Sequence, residues 1–244
     1  MKTSITSLLI LAMTCVPGAA KDLELAAPFT DHMILQRDTT VPVWGWDAPG
    51  NEVTVEFAGQ AKTTTVDGEG QWMVRLDSLD TSLIERVLRV RNSDGQSLVL
   101  NGVLVGEVWF SSGQSNMVWP AGKSMCRDLA TGLSRAEKEV PIREISINTV
   151  SALYPQKRAT SEQGWKTVKE AGGFSALSLS FAHELYKELN VPIGILLSAH
   201  SNTRIEAFTQ RQAIESHQEL QGDKDLIHDA DPLTEQGRMA FKQY

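Results

Sequence analysis

Between residues 23 and 100, apolar positions alternate with polar ones, and turn residues interrupt the alternation at short intervals. Val53, Val55 and Phe57 fall on one side of such a stretch, as expected for a strand with one buried face. The alternation predicts strands at 41–46, 52–57, 71–76 and 87–91. Closely spaced short strands separated by turns are typical of an antiparallel sandwich. Residues 21–101 are therefore predicted to form a β-sandwich domain.

The pattern changes after Asn101, where residues 103–111 form a nearly unbroken apolar run. Such a run is typical of a strand buried on both faces of a parallel sheet. Similar runs predict strands at 142–148 and 192–197. Residues 102–244 are therefore predicted to form an α/β domain with an open, doubly wound parallel sheet.

A helix is predicted between the last two of these strands. Its apolar residues recur every fourth position, and Ser175 is placed as its N-cap. The recurring residues are Leu177, Phe181, Leu185 and Leu189, with Ala182 and Tyr186 beside them.

The chain turns polar after Phe208. One exposed helix is predicted near 210–220, and the remaining residues suggest no clear element. Three strands are few for a doubly wound sheet. We therefore expect the α/β domain to be truncated at its C-terminus.

The first 20 residues resemble a signal peptide, since Lys2 precedes an apolar run that ends before Gly18-Ala19-Ala20. The expected product is secreted or periplasmic. Cys15 leaves open the alternative of a lipidated protein. No later stretch approaches the roughly 20 apolar residues that a membrane span needs.

Composition excludes some classes of partner. The net charge of -7 over 244 residues becomes -8 without residues 1–20, which contain Lys2 and no acidic residue. This balance argues against nucleic acid as a partner, because binding to phosphates requires clustered Lys and Arg. Beyond residue 20 the sequence contains a single cysteine, Cys126, so no internal disulfide is expected there. We interpret Cys126 as a small buried hydrophobic residue rather than as a functional thiol.

Ser115 is the candidate nucleophile. It follows the apolar run directly, within Gly113-Gln-Ser-Asn116. A serine on a tight turn at the carboxyl end of a parallel strand lies where α/β proteins bind ligands. Backbone N–H groups of the turn can stabilise an oxyanion, and the N-terminus of a following helix would add its dipole. The alternative on spacing alone is an ordinary polar turn and helix cap.

The longer segment Gly106-Glu-Val-Trp-Phe-Ser-Ser-Gly-Gln-Ser-Asn-Met117 resembles the nucleophile block of the sialate O-acetylesterase family of SGNH hydrolases. Segments before it resemble the β domain of that family, and segments after it resemble the next helix and strand. The segments before the block are Asp31-His-Met-Ile-Leu-Gln-Arg37, Val43-Trp-Gly-Trp46 and Pro49-Gly50. The segments after it are Gly173-Phe-Ser-Ala176 and Val191-Pro-Ile-Gly194. The resemblance extends to about Phe208 and implies an SGNH-type, flavodoxin-like sheet.

The family resemblance implies a serine esterase that removes acetyl groups from carbohydrates and needs no metal or cofactor. It also implies a catalytic Asp and His near the C-terminus in an Asp-x-x-His arrangement, and a Gln-Gly-Glu segment in mid-domain. The chain contains no Gln-Gly-Glu. Asp225-Leu-Ile-His228 has the right spacing, but we interpret it as a solvated acidic loop. His32, His183 and His217 lie outside the expected position, so no general base is identified.

The block after the third strand departs from the family pattern, because Ser201 and Asn202 replace two glycines. One of these positions is expected to donate an oxyanion N–H and to need backbone angles that side chains resist. Asn tolerates left-handed angles well, whereas Ser201 is harder to accommodate. Losing one oxyanion donor costs roughly 3 kcal/mol of transition-state stabilisation.

The leading hypothesis is thus an exported carbohydrate esterase. The activity of these 244 residues by themselves is expected to be impaired, because no general base for Ser115 is identified in them. A non-catalytic carbohydrate-binding or scaffold protein derived from such an esterase is the first alternative. A lipase-like or peptidoglycan-directed SGNH enzyme is the second. Little turnover and poor solubility are expected, and the oligomeric state is left open.

Overall fold

The computed structural model describes residues 22–150, 152, 154–231 and 233–235. The predicted signal peptide and Cys15 lie outside this part. The strands are β1 (Glu24–Leu25), β2 (Ile34–Gln36), β3 (Val41–Trp46), β4 (Glu52–Phe57), β5 (Gln60–Thr65), β6 (Gln71–Leu76), β7 (Ser82–Asn92), β8 (Ser97–Gly113), β9 (Ile142–Ser146), β10 (Trp165–Thr167) and β11 (Ile193–Ala199). The α-helices are α1 (Ser115–Val118), α2 (Arg127–Arg135), α3 (Ala176–Leu189), α4 (Arg211–Ser216) and α5 (Gln221–Ala230). None of the helices in the described residues is long and apolar enough to span a membrane.

The N-terminal strands follow the alternation of the sequence closely. The strands predicted at 41–46, 52–57 and 71–76 are confirmed as β3, β4 and β6 with the same bounds. β7 contains the predicted strand at 87–91 but begins five residues earlier. β5 was missed because its sequence, Gln-Ala-Lys-Thr-Thr-Thr, has almost no apolar positions to alternate.

The strands of the described residues form two sheets. A three-stranded antiparallel sheet has the order β1-β3-β6, and an eight-stranded mixed sheet contains the other strands. Val43 and Val74 of the first sheet share one hydrophobic core with Val53, Val55 and Val90 of the second. The predicted combination of an α/β architecture with an additional antiparallel sheet is therefore confirmed.

β8 joins the two halves of the chain. It pairs with β7 in its first half and with β11 from Glu107 to Gly113. β2 lies parallel to it at 104–106. The domain division predicted at residues 101 and 102 therefore falls inside one continuous strand. Among the described strands, β11 alone pairs with the stretch from Glu107 to Gly113.

β9 shows how the mixed sheet is layered. Ile142 and Glu144 face the helices, where Ile142 packs in a second core with Leu179 of α3. Ile145 instead packs in the core of the N-terminal strands. Arg143 points the same way, donates to the carbonyl oxygens of His32 and Gly102, and pairs with Glu85. In the described part of the chain, helices cover one face of the parallel strands and the N-terminal strands cover the other.

α3 has the predicted N-cap but only part of the predicted buried face. The side chain of Ser175 accepts from the N–H of Ser178, which confirms the cap. However, Leu177 and Phe181 are 54% and 43% exposed. Ala182 of the predicted face is buried, together with Ala176, Ser178 and Leu179, and Leu185 and Tyr186 pack against the same core.

Cys126 is half-buried against the same helix. Its Sγ lies 3.1 Å from the Oγ of Ser180 and 3.6 Å from the carbonyl oxygen of Ala176. Cys126, which was predicted to be a small buried hydrophobic residue, therefore also makes polar contacts through its sulfur.

The C-terminal part is more helical than predicted. The helix expected near 210–220 is α4 followed by a short 3-10 turn, and its Ile214 is buried at 2% exposure. Asp225 and His228 lie on α5, so the acidic loop predicted for them is wrong. α5 is hard to recognise from its residues because the apolar ones are few and flanked by acidic ones.

Candidate active site at the end of β8

The nucleophile turn begins where β8 ends. Gly113 has φ +139°, a value that L side chains rarely adopt. Ser115 then starts α1 and is half-buried, whereas Gln114 and Asn116 are exposed. The N–H of Met117 donates to the carbonyl of Gln114 at 2.8 Å, which closes the turn. Gly113 therefore allows the sharp change of direction that presents Ser115 at the sheet edge.

The helix after the nucleophile is shorter than the sequence suggested. α1 has four residues and no side-chain cap. A helix dipole is the sum of many aligned peptide units, so one turn contributes little of it. The local N–H groups, rather than a long helix, are what the turn offers to a negative charge.

The segment after β11 reaches the same edge. Ala199 pairs with Gly113 in the parallel register, and the N–H of His200 donates to the carbonyl of Gly113 at 3.0 Å. Two residues later, the N–H of Asn202 lies 3.4 Å from the Oγ of Ser115. The structure thus brings together the two segments from which the candidate residues were chosen.

The substituted glycine positions behave differently from each other. Asn202 has φ +60° and adopts the left-handed conformation that we expected it to tolerate. Ser201 is not among the described residues with positive φ. The expected difficulty at Ser201 is therefore absent, since a residue with negative φ carries no such strain.

No histidine in the described part of the chain forms a hydrogen bond with Ser115. His200, which our sequence reasoning overlooked, lies at this edge, where its Nδ1 is 3.2 Å from the Oγ1 of Thr149. His200 could have been recognised as a site residue from its position two residues before Asn202. His228 is exposed on α5, with its Nδ1 3.7 Å from a carboxylate oxygen of Asp229.

The start of α3 supports the nucleophile turn. The N–H of Ala176 donates to the carbonyl of Trp119, and the N–H of Ala121 donates to the carbonyl of Phe174, both at 2.8 Å. The hydroxyl of Ser178 donates to the Oγ of Ser111 at 3.0 Å. The turn is consequently fixed to the helix on both sides of Ser115.

Glu144 lies beneath this support, with 1% of its surface exposed. Its Oε2 accepts from the N–H of Ser175 at 3.1 Å. Burial raises the pKa of Glu144 to about 7, although the Ser175 N–H and the charge of Lys166 act in the opposite direction. Between its ordinary pKa and about 7, the folded protein holds a proton that the unfolded chain releases.

Glu144→Gln is expected to stabilise the protein at pH 8 by about 1 to 3 kcal/mol relative to its effect at pH 5. The raised pKa means that the parent loses stability as pH rises from about 4.5 to about 7, and glutamine has no proton to lose. Urea denaturation at both pH values measures this, with Glu188→Gln, an exposed position on α3, as control. An effect of Glu144→Gln that is equal at both pH values would contradict the prediction.

The described residues contain no group of three or more His, Cys, Asp or Glu side chains that could hold a metal ion.

A serine on a tight turn at the end of a parallel strand, with a backbone N–H beside its hydroxyl, is typical of α/β proteins that use serine as a nucleophile. Comparisons with known proteins point to the carbohydrate acetylesterases. A solved carbohydrate acetylesterase from Xanthomonas citri is 33% identical, with a TM-score of 0.72 over 80% of this chain and 44% of that one.

Curated relatives carry a more particular name. Sialate O-acetylesterase from Rattus norvegicus is 28% identical over 235 residues, covering 86% of this chain. The Homo sapiens protein of that name is 28% identical over 216 residues, covering 82%. The chain spans about two fifths of the length of these relatives. No protein-family model matches the chain. The resemblance to the sialate O-acetylesterase family is thereby confirmed.

Proposed function

We propose that the chain contains the nucleophile of a serine esterase that removes O-acetyl groups from sialic acid or a related acetylated carbohydrate. The observation that carries this proposal is the position of the Asn202 N–H, 3.4 Å from the Oγ of Ser115, at the carboxyl ends of β8 and β11. That N–H is available to a negative charge that develops beside the nucleophile. The names of the relatives supply the ester class.

In this proposal the Oγ of Ser115 attacks the acetyl carbonyl carbon, and the carbonyl oxygen becomes an oxyanion next to the Asn202 N–H. The bond between the acetyl carbon and the sugar oxygen then breaks, and the sugar leaves as an alcohol after taking a proton. Water hydrolyses the acetyl-serine to acetate and restores the hydroxyl. Each step needs a base that removes a proton from serine or water.

The chain's own contribution is thus the nucleophile and part of its oxyanion site. Because no histidine in the described residues bonds to Ser115, we propose that these residues alone turn over slowly. The finer features of the prediction remain part of this proposal. They are the signal peptide, a secreted or periplasmic location, the β-sandwich at 21–101, and an SGNH-type doubly wound domain from residue 102.

A second candidate function is carbohydrate binding without catalysis. The lack of a hydrogen bond between Ser115 and any histidine of the described residues favours it. It predicts sugar binding with no acetate release above the rate of imidazole alone.

The test is acetate release from O-acetylated N-acetylneuraminic acid, with and without added imidazole as a small external base. We expect the protein to release acetate faster than imidazole alone, because the base supplies what Ser115 lacks. A long-chain acyl ester serves as the comparison for a lipase-like enzyme. The proposal fails if the protein adds nothing to the imidazole rate for any acetylated sugar, or if the long-chain ester is preferred.

A further inference from the structure

The outer face of the three-stranded sheet carries aromatic residues. Trp44 and Trp46 are two apart on β3, and their partners in the antiparallel register are Met73 and Gln71 of β6. Side chains two residues apart point to the same face of a strand, and directly paired residues share that face. Val43 and Val74 occupy the opposite, buried face. On this face Met73 is 46% exposed and Trp44 is half-buried, whereas Trp46 is buried at 8% and belongs to the hydrophobic core, although an antiparallel sheet usually presents polar residues on such a face.

A later segment forms a wall along this face. The guanidinium of Arg158 lies 4.1 Å from the ring centroid of Trp46 and pairs with Glu24. Lys157 pairs with Glu69 in the turn before β6. These two ion pairs join the segment to β1 on one side of β3 and to the turn before β6 on the other. Each of these cations is paired with a carboxylate, and Asp67 adds a further carboxylate to the lining, so the cleft has no excess of positive charge.

The cleft has the size of a ligand site. One cavity of about 440 Å³ has in its lining Trp44, Trp46, Trp72, Met73, Gln71, Asp67 and Lys157. A neighbouring one of about 460 Å³ lies along the segment from Pro155 to Arg158. Pockets for small ligands typically measure about 300 to 1,000 Å³ and combine aromatic walls with a few polar groups.

A third cavity links this cleft to the parallel strands. Its volume is about 250 Å³, and it is lined by Trp44 and Trp46 together with Phe110 of β8 and Ser198 of β11. Ser198 pairs with Ser112, three residues before Ser115. The path from the tryptophan face therefore leads toward the edge at which the nucleophile lies.

We propose that this cleft, lined by Trp44, Trp46, Met73, Gln71 and Lys157, is a binding site for a neutral oligosaccharide. Aromatic faces pack against the C–H faces of sugar rings, and amide, ammonium and carboxylate groups bind the hydroxyls around them. Paired charges favour a neutral chain over an anionic one. The site holds the glycan away from Ser115, and its existence does not require Ser115 to be catalytic.

The test is titration of the protein with cellohexaose, xylohexaose and mannohexaose, followed through the indole N–H signals of its six tryptophans in two-dimensional NMR. A hexagalacturonate titration provides the anionic comparison. We expect one neutral hexaose to shift the signals of Trp44 and Trp46, and to do so equally in Ser115→Ala. Trp44→Ala should weaken binding about tenfold or more, and Met73→Ala a few-fold.

The matched control is Trp109→Ala, which removes an exposed tryptophan on β8 outside the cleft and should leave the dissociation constant within about twofold. The proposal is overturned if no neutral hexaose shifts Trp44 or Trp46 at millimolar concentration, or if hexagalacturonate binds more tightly. It is also overturned if folded Met73→Ala and Trp44→Ala bind as the parent does. Shifts confined to residues around Ser115 would assign the sugar to the esterase site instead.

Discussion

Ser115→Ala is expected to abolish acetyl transfer to the protein and to lower the imidazole-assisted release of acetate at least about 100-fold. Alanine removes the atom that forms the covalent bond, while the turn around it keeps its backbone hydrogen bonds, such as that from Trp119 N–H to the carbonyl of residue 115. Mass spectrometry of the peptide that contains residue 115 detects the acetyl group, and an enzymatic acetate assay gives the rate.

Ser134→Ala is the matched control, because Ser134 lies on α2 and, among the described residues, its hydroxyl bonds only the carbonyl of Thr131. This variant should acetylate and release acetate as the parent does. Equal acetylation and equal rates in the parent and Ser115→Ala would remove Ser115 from the reaction. Acetylation at Ser115 without any release would instead show that deacylation is the step that lacks a base.

The local sequence pattern indicated Ser115, whereas the expectation that position 201 or 202 supplies an oxyanion N–H came from the family resemblance and not from the pattern. A buried strand followed by Gly113 and Ser115 is a local pattern, so it can be seen in the sequence. The contact between Ser115 and Asn202 spans 87 residues and depends on the parallel register of β8 and β11. Register between distant strands is set by packing of the whole sheet and leaves little trace in either segment alone.

α3 shows the same limit in its packing. Its four-residue repeat predicted a helix correctly, but Leu177 and Phe181 do not face the core. Phe181 instead makes an edge-to-face contact with Trp109 of β8, at 5.1 Å between ring centroids. Small residues, such as Ala182, allow the helix to approach the sheet closely. Periodicity gives the existence of a helix, whereas the choice of buried face follows from what the neighbouring strands can accommodate.

The cleft on the outer face of β3 could not be predicted for a related reason. Alternation places Trp44 and Trp46 on one face, but it does not say which face is covered. The covering residues Lys157 and Arg158 come more than 100 positions later, in a segment without regular secondary structure. The strand positions therefore follow from the local sequence, whereas the cleft depends on ion pairs between residues that are far apart in the chain.

Gly106→Ala is expected to destabilise the protein by more than about 4 kcal/mol. A Cβ at this position would lie 2.0 Å from the carbonyl oxygen of Pro192 and 2.7 Å from its carbon. Neither backbone can move away easily. The N–H of Glu107 donates to that same carbonyl at 2.9 Å, and the carbonyl of Gly106 accepts from Arg37 N–H at 2.8 Å. Because the clash is with backbone atoms, no side chain can rotate to relieve it.

Gly132→Ala provides the opposite result from the same chemical change. Gly132 lies on α2, and a Cβ there would meet no atom within 4 Å. Alanine in a helix interior is favoured over glycine by up to about 1 kcal/mol, so this variant should be slightly more stable than the parent. Urea denaturation of both variants measures the difference. If Gly106→Ala unfolds at the same denaturant concentration as the parent, the backbone of Gly106 in β8 does not lie as close to the backbone of Pro192 as described. The pairing of β8 with β11 that brings Asn202 to Ser115 would then need a different register.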